Sequence, residues 1–387
     1  MKKSLAMLVT LGILSFAIAG CGGGDKKADT AKKDAKPASK IVQLKSEKAD
    51  ALIPQAKKEG KLVVYSISGR ISKAAAGFEK KYGIKVQASN LKDFELIDKI
   101  TTEAKAKAEG ADMVLCQDSG RVWGELIEPG YLENYIPEEL KGDIAAANQS
   151  PLVFAYMNKV LLYNNETFAK EAPIKNIWQL TEPANKGKFF FKSPMQEGIN
   201  ANFLTMLTKK ENADKLAKAY KDLYKQDLKL TTKNAGYEWI KMAFKNGLVM
   251  GSSDTSMTEA IGVKGQNFKG MGILNFSKIR YADKKNLAVG YMDKVEPFSG
   301  FYYPEYLMLV KGAKHPAAAK LFVQYLMTQE GFAPWAKDMG TYSGNTKLPV
   351  AKGDKKLEEW AKCLVADDPR YIFENRAEVE EFVSKLM

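Results

Sequence analysis

The sequence predicts an α/β protein with two lobes facing each other across a cleft. Three observations carry this. Strand and helix patterns alternate from about residue 50, a second alternating set begins near residue 161, and the stretch 49–387 is long enough for two medium-sized cores.

In the first set, helical periodicity covers 49–58, and Lys61-Leu62-Val63-Val64-Tyr65-Ser66 reads as a buried strand followed by a helix over 72–82. A strand at 84–88, a helix over 93–108, a strand at 112–116 and a helix near 121–127 complete it. Such alternation gives a parallel sheet covered on both faces, and small molecules bind such sheets beyond the carboxyl ends of the strands. The segments 66–70 and 117–121 are therefore expected to supply binding groups: Ser66, Ser68, Gly69, Arg70, Gln117, Asp118, Ser119 and Arg121.

The second set has strands expected at 189–192, 248–252 and 271–275, with helices at 197–209, 213–225, 235–245 and 255–267. Strand-like crossings near 152–163 and 288–310 join the two sets. The expected division is 49–155 for the first part of lobe 1, 156–297 for lobe 2, and 298–345 for the return to lobe 1. That return includes helices at 315–328 and 329–338, and 346–387 forms a C-terminal helical extension. A cleft between such lobes is a preferred place for a small ligand.

The N-terminus has the order of a secretory signal over 1–20: Lys2 and Lys3, an apolar stretch from Leu5 to Ile18, then small residues. The apolar run is short of the roughly 20 residues a membrane-spanning helix needs. Ile18-Ala19-Gly20-Cys21 resembles the lipobox of bacterial lipoproteins, which makes Cys21 the expected lipidation site. From Cys21 to residue 48 the chain is rich in Gly, Lys, Asp and Ala and lacks aromatics, so a disordered tether is expected. The reading is of an exported chain anchored by lipid at the outer side of the cytoplasmic membrane or in the periplasm. Cys116 and Cys363 lack metal-ligand spacing. A disulfide between them is permitted but not indicated, and Cys116, closing an apolar run, is read as a buried thiol.

The formal charge of +13 falls to about +7 once the signal and tether are set aside, and the excess is lysine spread over helical faces. No basic-aromatic or helix-turn-helix pattern accompanies it, so nucleic acid is not an expected partner. The single histidine, His315, precedes Pro316 at a helix start, a poor position for a general base or metal ligand. An exported carboxylate-dependent hydrolase is the rival from another class, yet no carboxylate pair stands out by spacing. A structural lipoprotein that binds nothing is a third reading. No enzyme activity, cofactor or oligomer is expected.

Glu59-Gly60-Lys61-Leu62-Val63-Val64-Tyr65-Ser66 and Phe78-Glu79-Lys80-Lys81-Tyr82-Gly83-Ile84-Lys85-Val86 resemble the opening of the ferric-iron-type extracellular solute-binding proteins. Gly110-Ala111-Asp112-Met113-Val114, Leu161-Leu162-Tyr163-Asn164, Asn185-Lys186-Gly187-Lys188 and 311–322 follow in family order. The resemblance implies a type II periplasmic-binding-protein fold, lobes that close by hinge bending, and docking on the permease and ATPase subunits of an ABC importer. Where relatives often carry a Ser-Gly-Thr anion cradle, this chain has Glu197-Gly198-Ile199. Glu197 is read first as a carboxylate stabilising a helix N-terminus, and otherwise as a partner for a metal or a ligand amino group. Ser253, Asp254 and Thr255 begin a helix after a strand, and Asn275, Ser277 and Arg280 follow another. Arg70, Arg121 and Arg280 are three of five arginines in the chain, and placed in a cleft they would favour an anionic organic or phosphate-like solute. A ferric complex is a further candidate solute, and direct binding of ferric iron is the alternative reading, with Tyr302, Tyr303 and Glu197 as candidate oxygen donors, although the adjacent tyrosines of the ferric members lie where this chain has 276–281.

Overall fold

Gly60 ends helix α1 (Ala49–Glu59) at a φ of 70°, a left-handed turn no other residue makes cheaply, and the chain passes straight into strand β1 (Lys61–Ser66). Gly83, at 73°, does the same between α2 (Ile71–Tyr82) and β2 (Lys85–Asn90). The computed structural model describes residues 41–387, so the signal, Cys21 and the tether up to residue 40 lie outside the described residues. After β2 come α3 (Asp93–Ala106), β3 (Met113–Cys116), and a short turn of helix, α4 (Ser119–Arg121), that widens into a π-helical turn over Val122–Ile127. Strand β4 (Leu132–Glu133) precedes the long crossing strand β5 (Val153–Tyr163).

The second half holds β6 (Phe189–Lys192), α5 (Gly198–Thr208), α6 (Lys210–Tyr224), α7 (Ala235–Lys245), β7 (Val249–Gly251), α8 (Asp254–Gly262) and β8 (Met271–Asn275). Helix α9 (Tyr281–Lys284), β9 (Gly290–Met292) and the second crossing strand β10 (Gly300–Val310) lead back. Helices α10 (Pro316–Leu326) and α11 (Gln329–Phe332), then β11 (Thr341–Ser343), α12 (Leu357–Trp360), β12 (Leu364–Ala366) and α13 (Pro369–Ser384) finish the chain.

One sheet runs through both halves in the order β2-β1-β3-β10-β5-β8-β6-β7. β1 pairs parallel with β2 and β3, and β6 pairs parallel with β7 and β8. The crossing strands β5 and β10 are antiparallel to each other, and each has one end in each half. β10 meets β3 through Tyr306 to Leu309, while β5 meets β8 through Lys159 to Tyr163. Side chains alternate across these strands, so both faces are covered. In the first half Leu62, Val64, Met113, Leu115, Leu307 and Leu309 join one core, while Tyr65, Val114, Cys116, Tyr306 and Met308 join another. In the second half Leu161, Met271 and Ile273 face one core, and Val160, Leu162 and Leu274 face the other. This is the two-lobed α/β architecture expected from the alternation.

Several expectations need correction. The tether does not extend to residue 48: Leu44 N–H donates to the Asn134 carbonyl and Asn134 N–H to Val42, both at 2.8 Å, while Ile41 and Leu44 cover lobe 1 cores. The segment 121–127 is not a plain α-helix but holds the π-helical turn. Helix 255–267 stops at Gly262, where the carbonyl instead accepts from Ala288 N–H, and helix 329–338 stops at Phe332. The crossing 288–310 divides into β9 and β10, with Pro297, which has no N–H to offer a ladder, in the gap.

Candidate functional site

The carboxyl ends of the parallel strands from both halves surround one cavity of about 780 Å³. Ile67, Asn90, Asp93 and Gln117 line it from lobe 1, and Lys192, Gln196, Glu197 and Ser252 from lobe 2. Asp93 is the first helical residue of α3, and Glu95 reaches back to accept from Lys92 N–H at 3.1 Å, which fixes the helix start. Gln117, just past β3, donates through Nε2 to both Asp93 carboxylate oxygens at 2.8 and 2.9 Å. Burial and the nearby Glu197 and Asp118 carboxylates push Asp93 up to about 8, against the pull of Gln117 and Lys192.

Helix α5 organises the second wall. It is buried on nearly every side, and its polar residues make specific contacts. Glu197, its N-cap, pairs with Lys192. Asn200 accepts from Lys159 Nζ at 2.8 Å and donates to the Lys192 carbonyl at 2.8 Å. Lys159, on β5 and only 1 % exposed, also donates to Asp254 at 3.2 Å and stands 3.9 Å from Glu197. Burial alone would raise Asp254, but Lys159, Lys192 and the Asn275 N–H together hold its carboxyl below the usual range. Asn202 turns the other way, donating to Asp118 at 3.2 Å.

Asp118 belongs to lobe 1, yet its carboxylate lies against the start of α5. A Cβ on Gly198 would sit 1.9 Å from Asp118 Oδ2, so only glycine admits it there. Asp118 itself takes a left-handed backbone, φ 58°, a strained state that persists where surroundings over-determine it. Arg376 on α13 clamps it from behind, its Nη1 2.8 and 2.7 Å from the two carboxylate oxygens, and donates to Asn202 at 3.2 Å. The N-terminus of α5 is therefore occupied by a carboxylate of this chain.

The other expected residues divide by position. Ser66 and Ser68 fold the β1–α2 turn on each other: Ser68 N–H donates to Ser66 Oγ at 3.0 Å, and Ser66 Oγ donates to the Ser68 carbonyl at 3.1 Å, with Gly69 against Asn90. Arg70 and Arg280 do not line the cavity; from opposite lobes they converge on the Asp338 carboxylate, and Arg280 also donates to the Ser277 carbonyl. Arg121 is not a cleft residue: it grips Glu125 on the next helical turn at 2.6 and 2.8 Å and Asp98 at 2.8 Å. Ser119 donates to Asp367 at 2.7 Å. Ser253 caps α8, Thr255 meets the Tyr281 hydroxyl at 3.3 Å, and Asn275 accepts from Ser277 N–H at 3.0 Å. Tyr302 and Tyr303 cannot act as a pair. As neighbours on β10 they point to opposite faces, Tyr302 toward Tyr156 and Tyr303 toward Phe301.

Sequence reasoning missed Asp93, Lys159, Lys192, Asp338 and Arg376. Only Asp93 carried a legible signal, since it follows β2 as Gln117 follows β3. Among the described residues no three acidic, cysteine or histidine side chains are placed to hold a metal. Cys116 and Cys363 are free thiols, and burial raises both. The His315 ring and backbone nitrogens are each 2.9 Å from an Asp112 carboxylate oxygen. No helix among the described residues is long and apolar enough to cross a membrane.

Residues 73–362 match the family described as bacterial extracellular solute-binding protein. The chain belongs to this family. It is thereby a solute-binding protein of an ABC-type importer family, whose fold is that of non-catalytic binding proteins. No curated protein matches the sequence. Iron-bound HitA from Pseudomonas aeruginosa is similar at 19 % identity and a TM-score of 0.65, covering 84 % of this chain and 99 % of that one. The apo ferric ion-binding protein A of Pasteurella haemolytica gives 16 %, 0.65, 84 % and 98 %. AfuA from Actinobacillus pleuropneumoniae, with exogenous fructose-6-phosphate bound, gives 18 %, 0.61, 84 % and 97 %. At these identities the likeness establishes the type II periplasmic-binding-protein fold.

Its buried acids lead us to expect a pH-dependent stability of this solute-binding protein. Asp93 is raised to about 8, and burial raises Glu305 and Asp367 to about 7 each. Such groups keep their proton in the folded state where the unfolded chain has lost it, so stability falls as pH climbs from about 4 to about 8. We expect Asp93→Asn to flatten this fall in urea titrations of the unliganded protein; an unchanged slope would show that Asp93 ionises freely.

Proposed function

We propose that this protein captures a small polar solute between its lobes by hinge closure and delivers it to an ABC permease and its ATPase. It works as a monomer outside the cytoplasmic membrane, tethered through a lipidated Cys21. The observation that carries the reading is the polar cavity of about 780 Å³ walled by strand ends of both lobes. β5 and β10, each rooted in both halves, are the natural flexure, so the lobes move as bodies while two strands bend. A solute that touches both walls binds the closed form better than the open one, and that difference is what closes the cleft.

Two finer readings of the solute remain as proposals. An anionic organic or phosphate-like compound would draw on Arg70 and Arg280, which meet at Asp338 beyond the cavity lining, its oxygens replacing that carboxylate between two guanidinium forks. Direct binding of ferric iron has less support here, since of Tyr302, Tyr303 and Glu197 only Glu197 lines the cavity, while a ferric complex stays beside the anionic compounds as a candidate.

A thermal-shift screen of ferric citrate, phosphate, phosphonates, sugar phosphates, amino compounds and small carboxylates tests the reading. Ligand at about a hundred times its Kd adds about 2.7 kcal/mol, a rise of several degrees in Tm. A screen without any rise would count against capture. Hits whose affinity is untouched by Arg70→Ala and Arg280→Ala would remove the anionic reading alone.

A further inference from the structure

We propose that the captured solute carries a protonated amine and that Asp93 is the residue that selects it, an assignment that rests on the capture reading above. The charges lining the cavity are Lys92, Asp93, Glu95, Lys192 and Glu197. Lys192 pairs with Glu197, and Lys92 stands 4.0 Å from Glu95. Asp93 alone makes no ion pair among the described residues; its partner is the neutral amide of Gln117. Whenever Asp93 is ionised, the wall is one positive charge short.

A carboxylate at the first position of a helix is usually explained by the helix dipole. Asp93 departs from that explanation because its two oxygens are held by an amide from a different strand end, which presents the group to the cavity rather than to its own helix. Withdrawing an ionised carboxylate from water without a counter-charge is unfavourable, and such groups are kept where a ligand supplies the counter-charge. Without a solute, burial and the neighbouring carboxylates keep a proton on Asp93, and a neutral or anionic solute leaves it there, whereas a cation stabilises the ionised form. An ammonium group would make a charge-assisted hydrogen bond.

The rest of the wall fits an amine on a short carbon skeleton. Phe94 from lobe 1 and Met195 from lobe 2 both line the cavity while 42 % and 47 % exposed, which offers apolar cover from two sides. Asn90, Gln196 and Ser252 supply neutral hydrogen-bonding groups for the far end of the molecule.

The test is calorimetry on the folded protein with 4-aminobutyrate, lysine and 1,4-diaminobutane, each beside its N-acetylated form, and with succinate and fructose 6-phosphate as amine-free probes. At least one amine is expected to bind. N-acetylation and Asp93→Asn should each weaken it roughly tenfold to a hundredfold, while the Tm of unliganded Asp93→Asn stays at or above that of the parent. Gln117→Ala, which frees Asp93 without removing it, should weaken binding less. An amine-free probe that binds equally well to Asp93→Asn would overturn the assignment and leave solute capture standing. An absence of binding by every probe, alongside hits of another class in the thermal screen, would do the same; absence in both would remove capture itself.

Discussion

Lys159→Ala is expected to lower the free energy of unfolding by about 3–5 kcal/mol, measured by urea denaturation. The lysine is 1 % exposed and its ammonium serves Asn200, Asp254 and, at longer range, Glu197. Its removal leaves Asp254, a largely covered carboxylate, with one charge partner fewer. The acid limb supplies a second signature. Because Asp254 is held below the ordinary carboxylate range when folded, it contributes stability that is present above about pH 4 and is lost as pH falls through its folded value. In Lys159→Ala that contribution shrinks, so the acid limb should flatten. Lys159→Met combined with Asp254→Asn removes both charges and should recover part of the loss. A single variant within about 0.5 kcal/mol of the parent would mean that the knot joining β5, α5 and α8 contributes nothing net.

Arg376→Ala is expected to cost a similar amount, about 3–5 kcal/mol, because it strands the Asp118 carboxylate, 2 % exposed, against the start of α5. Asp118 already occupies a left-handed backbone, and without its clamp only the Asn202 amide still holds the carboxylate. Combining Arg376→Ala with Asp118→Asn should be milder than the first change alone, and chemical denaturation of the four proteins gives the coupling directly. Additive effects would show that the two side chains touch without depending on each other.

The alternation of strand and helix was legible because each strand is a short apolar run and each helix is periodic, as in 61–66 followed by 71–82. Ends were less so. Nothing local says that α8 stops at Gly262, since the stop is set by Ala288 taking its carbonyl. For the site, the rule that ligands gather beyond parallel strand ends located Gln117, the resemblance located Glu197, both of which line the cavity, and the rule applied to β2 would have reached Asp93. Arg70, Arg121 and Arg280 were singled out for lying at or after strand ends and for their guanidinium chemistry, and each is instead paired with a carboxylate of the chain. Asp338 lies 268 residues from Arg70, and Arg376 lies 258 from Asp118; no spacing argument reaches that far.

Helix α13 rests on lobe 2 through Tyr371 and Glu378, which meet Thr208 and Lys233, and holds lobe 1 through Arg376. Any swing of the lobes must drag this helix along or break one set of its contacts. The apparent affinity is then the intrinsic one scaled by the fraction of molecules already poised to close, and that fraction is written partly in residues that never meet the solute. Selection can therefore retune uptake for scarcity or plenty from the tail of the chain, leaving the recognition chemistry as it is.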